Sequence, residues 1–277
     1  MVFLSFIFSS LLGMCTLSTL SAMDEPLTSI VWHWEDEFSS TEKKKVEEWL
    51  NRVTTATEST IGAYPFTMHF YIHRRNGASE PVPWASTRRY PIQGIDFHID
   101  PAYSLQSFLD DWTAPHEISH LSIPYLGRSE AWFAEGFASY MQYQIMQRLG
   151  IYSSQEVMKR YAQKIESVRP YFDRNEDFVS VSRELQRRNN YPAMYWGGAS
   201  YFMQADQSLK ADHNLEFTAL LKDYLLCCRL KDDSLDELIE SWDQLIGEPL
   251  FSGMLRNYKA GPASGVIEAD LALQLDD

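Results

Sequence analysis

The sequence predicts an α+β fold, with a small mixed sheet and a helix in the N-terminal part followed by a mostly helical C-terminal part. Three observations lead there. Strand-like runs of β-branched and aromatic residues precede Pro101, and helical periods dominate after it. The 277 residues are 45% hydrophobic and 14% aromatic, enough for a sizeable core in one large domain or two modest ones.

The chain opens with an apolar run, Val2 to Leu12, broken only by Ser5, Ser9 and Ser10; small residues ending at Ser21-Ala22 follow, and the first charge is Asp24. That layout predicts a signal peptide over 1–22, cut after Ala22, and a secreted or periplasmic protein. It departs from the usual form in lacking Lys or Arg before the run and in having Leu20 where a small residue is preferred. Two other readings are an uncleaved membrane anchor, since so long an uncharged stretch can just span a bilayer, and a lipoprotein acylated at Cys15. Met14 speaks against the second, because that position calls for a smaller residue. Beyond residue 24 no apolar stretch is long enough to cross a membrane.

Ser29 to Trp34 reads as a short strand. Ser39-Ser40-Thr41-Glu42 forms a capping box that opens a helix carrying Val46, Trp49, Leu50 and Val53 at helical spacing. A second strand is expected at Phe66 to His73. Asn76 to Tyr90, with its Gly and Pro, reads as a loop. In Gly94 to Asp100 the residues Ile95, Phe97 and Ile99 alternate with Asp96, His98 and Asp100, which predicts an edge strand with one solvated face. Helices are expected near 114–123, 130–149, 154–168, 195–210, 214–228 and 234–246, and the last dozen residues read as a fraying tail. Residues 23–112 thus form an α/β part ending in that edge strand, and 113–277 a helical part, together one unit.

Composition excludes several classes. Twenty-four Lys and Arg against 38 Asp and Glu leave a formal charge of -14, which repels phosphate backbones and argues against nucleic acid as a partner. Three Cys cannot make a disulfide framework, and adjacency argues against pairing of Cys227 with Cys228, because neighbouring cysteines close a strained small ring. They read instead as small hydrophobes on a buried helix face.

The chemistry concentrates at His116-Glu117-Ile118-Ser119-His120. Two His four apart share one helical face and can offer two imidazole nitrogens to one zinc ion, with Glu117 beside them free to act on water without being a ligand. Thr113 reads as the cap of this helix, Pro115 is tolerated in its first turn, and Pro124 stops it. A catalytic zinc wants a third protein ligand. Ile123 and Leu126 stand where a metzincin has its Gly and its third His, so a carboxylate on the next helix is the better candidate. Glu135, in Trp132-Phe133-Ala134-Glu135-Gly136-Phe137-Ala138-Ser139-Tyr140, sits among large apolar residues where an unpaired carboxylate is costly, so it needs a cation. Glu130, in the first turn, is explained by the helix dipole alone. His33, His69, His73, His98 and His213 read as surface or packing residues.

These residues resemble the aminopeptidase N family of gluzincin zinc peptidases, in which HExxH is followed by a W-x-x-E-G-F/L-A-x-Y helix. The resemblance implies a thermolysin-like catalytic core with His116, His120 and Glu135 as zinc ligands and Glu117 as the catalytic carboxylate. It also implies that Tyr195, heading Tyr195-Trp196-Gly197-Gly198-Ala199 with Gly197 where Lys is usual, donates a hydrogen bond to the oxyanion. Here the second His and the ligand Glu are separated by residues 121–134, fewer than the family's usual spacing. The family's G-A-M-E-N motif has only a partial counterpart in Gly77-Ala78-Ser79-Glu80-Pro81, which raises Glu80 as a candidate amine-binding residue. The likeness is to the catalytic domain alone.

The function expected is therefore a secreted zinc peptidase acting on peptide or protein substrates, either trimming N-termini or cleaving internally. An extended substrate is expected beside the Gly94–Asp100 strand. Trp112, Trp132 and Trp196 are candidate pocket walls, with core packing the better reading for each. The alternatives are a zinc hydrolase of a non-peptide substrate and a non-catalytic peptide-binding module, although the latter has no need of Glu117.

Overall fold

The computed structural model describes residues 27–267. The expected signal segment 1–22, with its anchor and lipoprotein alternatives, lies outside the described residues, as does most of the expected C-terminal tail.

The N-terminal part holds β1 (Ile30–Trp34), α1 (Ser40–Ile61), β2 (Met68–Arg74), β3 (Trp84–Arg88) and β4 (Gly94–Ile99). The four strands form one mixed sheet in the order β1-β2-β4-β3, parallel except for the antiparallel β3–β4 pair. The capping box forms as the sequence predicts: the Glu42 N–H donates to Ser39 Oγ at 3.3 Å, and the Ser39 N–H donates to the Glu42 carboxylate at 2.7 Å. The apolar stripe of α1 is wholly buried, with the Trp49 ring edge-on to Phe97 of β4 at 5.5 Å and 4.7 Å from the Phe108 ring.

The structure corrects the edge-strand expectation. Gly94–Ile99 is an inner strand, flanked by β2 and β3, and the edge on its side of the sheet is Trp84–Arg88, inside the stretch that reads as a loop. Pro81 and Pro83 disguise its start, and Trp-Ala-Ser-Thr-Arg has little alternation of its own. The polar side of β4 is covered in part by its neighbours: Asp96 accepts from Arg88 Nη2 at 2.6 Å and lies 2.9 Å from His73 Nε2.

The helical part runs through α2 (Leu105–Leu109), α3 (Thr113–His120), a single 3-10 turn (Arg128–Glu130), α4 (Ala131–Arg148), α5 (Ser154–Phe172), α6 (Phe178–Arg187), α7 (Tyr191–His213), α8 (Phe217–Cys227), α9 (Leu235–Ile246) and α10 (Leu250–Ala260). α2, α6 and α10 go beyond the sequence reading, and α7 begins four residues earlier than expected. Among the described residues no helix is long and apolar enough to cross a membrane.

α4 packs between α3 and α7, and it is apolar on most sides because it is buried on most sides. Its crossing with α7 is unusually close. A Cβ on Gly198 would stand 2.0 Å from the Trp132 carbonyl oxygen, and one on Gly136 2.3 Å from the Gly198 carbonyl carbon. Only glycine lets the two backbones meet there, and the contact sets Glu135 and Tyr195, both close in sequence to these glycines, side by side. Gly197 has its own reason: a Cβ would enter the Phe172 ring, 2.3 Å from Cζ, which leaves no room for the Lys of the family pattern.

Cys227 and Cys228 are joined in a disulfide, correcting their reading as unpaired hydrophobes on a buried face. Both are half-buried at the C-terminal end of α8, where Cys228 leaves helical geometry with φ -130° and ψ -30° and the two sulfurs can meet.

Candidate active site

α3 is built by local rules and by its neighbours. The Thr113 side chain does not cap it, contrary to expectation: Trp112 is the cap residue without a side-chain bond, and Asp111 Oδ1 accepts from the Thr113 N–H at 2.8 Å. Pro115 sits in the first turn, where its missing N–H costs no intrahelical bond. The four-residue spacing then stacks His116 and His120 on one face, rings edge-to-face at 4.8 Å and both buried.

The chain turns through Gly127, at φ 75°, so that α4 returns across this face. Glu135 Oε2 lies 3.2 Å from His116 Nε2 and 3.5 Å from His120 Nε2. The three residues form a group that could hold a metal ion, their ligand atoms all within 4.8 Å of one another. The competing Glu130 is engaged elsewhere, accepting from Trp132 Nε1 and Arg183 Nη2 at 3.3 Å each.

Electrostatics separate the two carboxylates. Burial pushes the Glu135 carboxyl up, but the charge of His120 and hydrogen bonds from both imidazoles outweigh it and hold the group well below the usual range. Burial pushes the Glu117 carboxyl up and prevails over the neighbouring imidazoles, so its pKa lies above the ordinary carboxylate value. The surroundings thus favour the charged form of Glu135 and disfavour that of Glu117. Burial lowers the His116 pKa, yet the hydrogen bond and charge of Glu135 bring it above the usual imidazole value. Tyr195, stacked near His116 with centroids 6.1 Å apart, is pushed up by burial and by both carboxylates and remains a hydroxyl donor.

Two contributors were missed by sequence reasoning. Gln142, buried on α4, places Oε1 3.0 Å from His116 Nδ1. It lies two turns beyond Glu135 on the same helix face, and a polar residue inside that apolar run was the available signal. Arg89, just after β3, donates to the carbonyl oxygens of His120 at 2.6 Å and Ile123 at 2.9 Å. Burial and the like charge of Arg229 bring its guanidinium down to about 10, so it stays cationic at neutral pH.

These groups open onto a cleft of about 530 Å³. β3 forms one wall through Trp84–Thr87, and Trp112, Tyr125, Tyr191 and Tyr195 contribute aromatic surface. Because β3 covers β4, the strand available to an extended ligand is β3, correcting the expectation that substrate lies beside Gly94–Asp100. Trp112 is half-exposed in the cleft, whereas Trp132 and Trp196 are buried packing residues. Glu80 is exposed on the cleft wall. The remaining histidines stand apart from this group: His33 Nε2 is 2.9 Å from His69 Nδ1, His73 and His98 stack at 4.4 Å, and His213 meets Glu248 at 2.7 Å.

A family model described as M61 glycyl aminopeptidase matches residues 125–196. The match runs from the turn after α3 into α7 and includes Glu135, Gln142 and Tyr195 but not the two histidines. This similarity supports a metallopeptidase family and peptidase activity. No curated protein matches the chain.

Proposed function

We propose that this protein is a zinc-dependent peptidase and that residues 23–277 form one catalytic unit with a gluzincin-type core. The observation that carries the reading is the convergence of His116, His120 and Glu135 beside Glu117 at the floor of one cleft. Tetrahedral zinc with bonds of about 2.0–2.1 Å needs neighbouring ligand atoms roughly 3.3–3.4 Å apart. Spacings of 3.2 and 3.5 Å from Glu135 Oε2 to the two Nε2 atoms lie near that value, and all three ligand atoms lie within 4.8 Å of one another.

His116, His120 and Glu135 would hold the ion, which would supply Lewis acidity toward a peptide carbonyl and lower the pKa of water to about 7. Gln142 Oε1 accepts the His116 Nδ1 proton and so turns the Nε2 lone pair toward the site. Glu117 accepts a proton from the attacking water, whose oxygen bonds to the carbonyl carbon, and returns it to the leaving nitrogen as the C–N bond breaks, so hydrolysis yields one carboxylic acid and one amine with the enzyme unchanged. Tyr195 donates its O–H to the carbonyl oxygen as negative charge develops there. The substrate lies extended along β3, whose free edge offers backbone donors and acceptors, with Trp84 and Trp112 as apolar walls.

The M61 similarity favours trimming of free N-termini over internal cleavage. Paired peptides, one with a free and one with an acetylated N-terminus, test this. Cleavage of the free peptide alone is expected. Equal cleavage of both would make the enzyme an endopeptidase, and cleavage of neither, with zinc present, would refute peptidase function. The same reading takes 1–22 as an export signal, tested by N-terminal sequencing of exported protein.

A further inference from the structure

The C-terminal end of α3 is held in an unusual way. The helix has eight residues and stops before Pro124, so its last carbonyls lie beyond intrahelical donors or share weak ones. Three side chains from distant parts of the chain take them. The Tyr64 hydroxyl donates to the Ile118 oxygen at 2.7 Å, and Arg89 spans the turn from His120 to Ile123. Arg229 Nε donates to the Leu121 oxygen at 2.9 Å from 108 residues away. Gln93 ties the two arginines together, donating to the Arg89 carbonyl at 3.0 Å and accepting from Arg229 Nη2 at 3.4 Å.

Buried guanidinium groups ordinarily answer carboxylates. Among the described residues neither Arg89 nor Arg229 makes a close ion pair; both donate to carbonyls at the negative end of the helix that carries both histidines, while Glu117 and Glu135 act on Arg89, and Asp232 on Arg229, from farther away. Two like charges are thus packed close together although Arg229 is only 5% exposed. A helix end needing no more than satisfied carbonyls could use water or a glycine cap instead. Charged forks fix direction as well as satisfying acceptors, and the atom fixed most tightly is the carbonyl of His120 itself.

Resting on the zinc-site reading above, we infer that Arg89 and Arg229 are positioning residues that clamp α3 in the register where His116 and His120 meet Glu135, so that the site is preorganised for zinc. Arg89 serves two backbone carbonyls through a planar fork, whereas Arg229 serves one backbone carbonyl at 2.9 Å and the Gln93 side chain at 3.4 Å. The two arginines should therefore differ in what can replace them. An ammonium group can serve the single backbone carbonyl of Leu121, whereas for the span from His120 to Ile123 it lacks the fixed planar fork that Arg89 supplies.

The test is the zinc dissociation constant of the full protein, measured by competition with a chromophoric chelator, alongside thermal melting of the metal-free form and kcat and KM. Arg89→Lys is expected to weaken zinc on the order of tenfold, as outer-shell partners of metal ligands do, with kcat lowered, KM near the parent value and the metal-free melt near the parent's. Arg229→Met is expected to weaken zinc likewise, and Arg229→Lys to recover most of the loss. Tyr64→Phe, which removes a single hydroxyl and keeps the ring, is expected to give a smaller loss and serves if an arginine variant does not fold. Parent-like zinc affinity in folded Arg89→Lys, in Arg229→Met, or in Tyr64→Phe where the arginine variants do not fold, would overturn the clamp, as would equal affinities of Arg229→Lys and Arg229→Met. A parent protein that binds no zinc would instead overturn the site reading itself.

Discussion

Replacing Gln142 by Leu tests whether the group behind the first histidine matters for metal. Gln142 is 4% exposed and its Oε1 stands 3.0 Å from His116 Nδ1, on a ring that is itself 2% exposed, so water cannot substitute for the lost acceptor. Leu matches the volume closely enough to avoid a large cavity. In the metal-free variant the imidazole can shift its proton to Nε2, which faces Glu135 Oε2 at 3.2 Å, and little stability is lost. Metal removes that escape, because Nε2 must then offer a lone pair and the proton must sit on Nδ1 with no partner. A buried unsatisfied donor costs about 1–3 kcal/mol. Outer-shell losses of about 10–100-fold in metal affinity correspond to roughly 1.4–2.7 kcal/mol, the same range. Chelator competition with Gln142→Leu should therefore show zinc affinity reduced about 10- to 100-fold while the metal-free melting temperature moves little; Gln142→Glu, which keeps an acceptor, should bind more tightly than the Leu variant. Parent-like affinity in Gln142→Leu would refute the reasoning.

Tyr195→Phe should lower kcat by about 10²–10³ with little change in KM, since its hydroxyl is assigned to the transition state; steady-state kinetics on one peptide decide this, and a pure KM effect would contradict it. Activity should rise with pH as Glu117 loses its proton, giving an acidic limb in kcat/KM; in the metal-free protein burial raises that carboxyl above its ordinary value. Zinc affinity should fall as pH drops through the raised pKa of His116, because the protonated imidazole has no lone pair to offer. Gly198→Ala would bring a methyl to within 2.0 Å of the Trp132 carbonyl and force α4 from α7. A loss of about 1–3 kcal/mol is expected by denaturant unfolding, as for other overpacked sites.

What could be read from the sequence was what local spacing encodes. The interval between His116 and His120 places them on one helical face whatever the tertiary context, and Glu135 declares itself as a carboxylate in an apolar helix. Ser39 and Glu42 give the start of α1 for the same local reason. Residues whose role depends on distant partners stayed hidden. Trp84–Arg88 becomes a strand only through pairing with Gly94–His98, and that pairing moved the sheet edge away from the segment whose alternation advertised it. Arg89 and Arg229 carry no motif; their meaning comes from carbonyls 31 to 108 residues away. The small ring that adjacent cysteines close argues against pairing of Cys227 with Cys228, yet where Cys228 departs from helical geometry their sulfurs meet.

The most direct test compares purified parent protein with Glu117→Gln for bound zinc, by elemental analysis, and for hydrolysis of a peptide with a free N-terminus. One zinc per chain in both proteins, with activity in the parent and almost none in the variant, is the result expected if His116, His120 and Glu135 hold the metal and Glu117 moves the proton. Hydrolysis by the variant at the parent's rate, or a parent that carries no zinc, would contradict it.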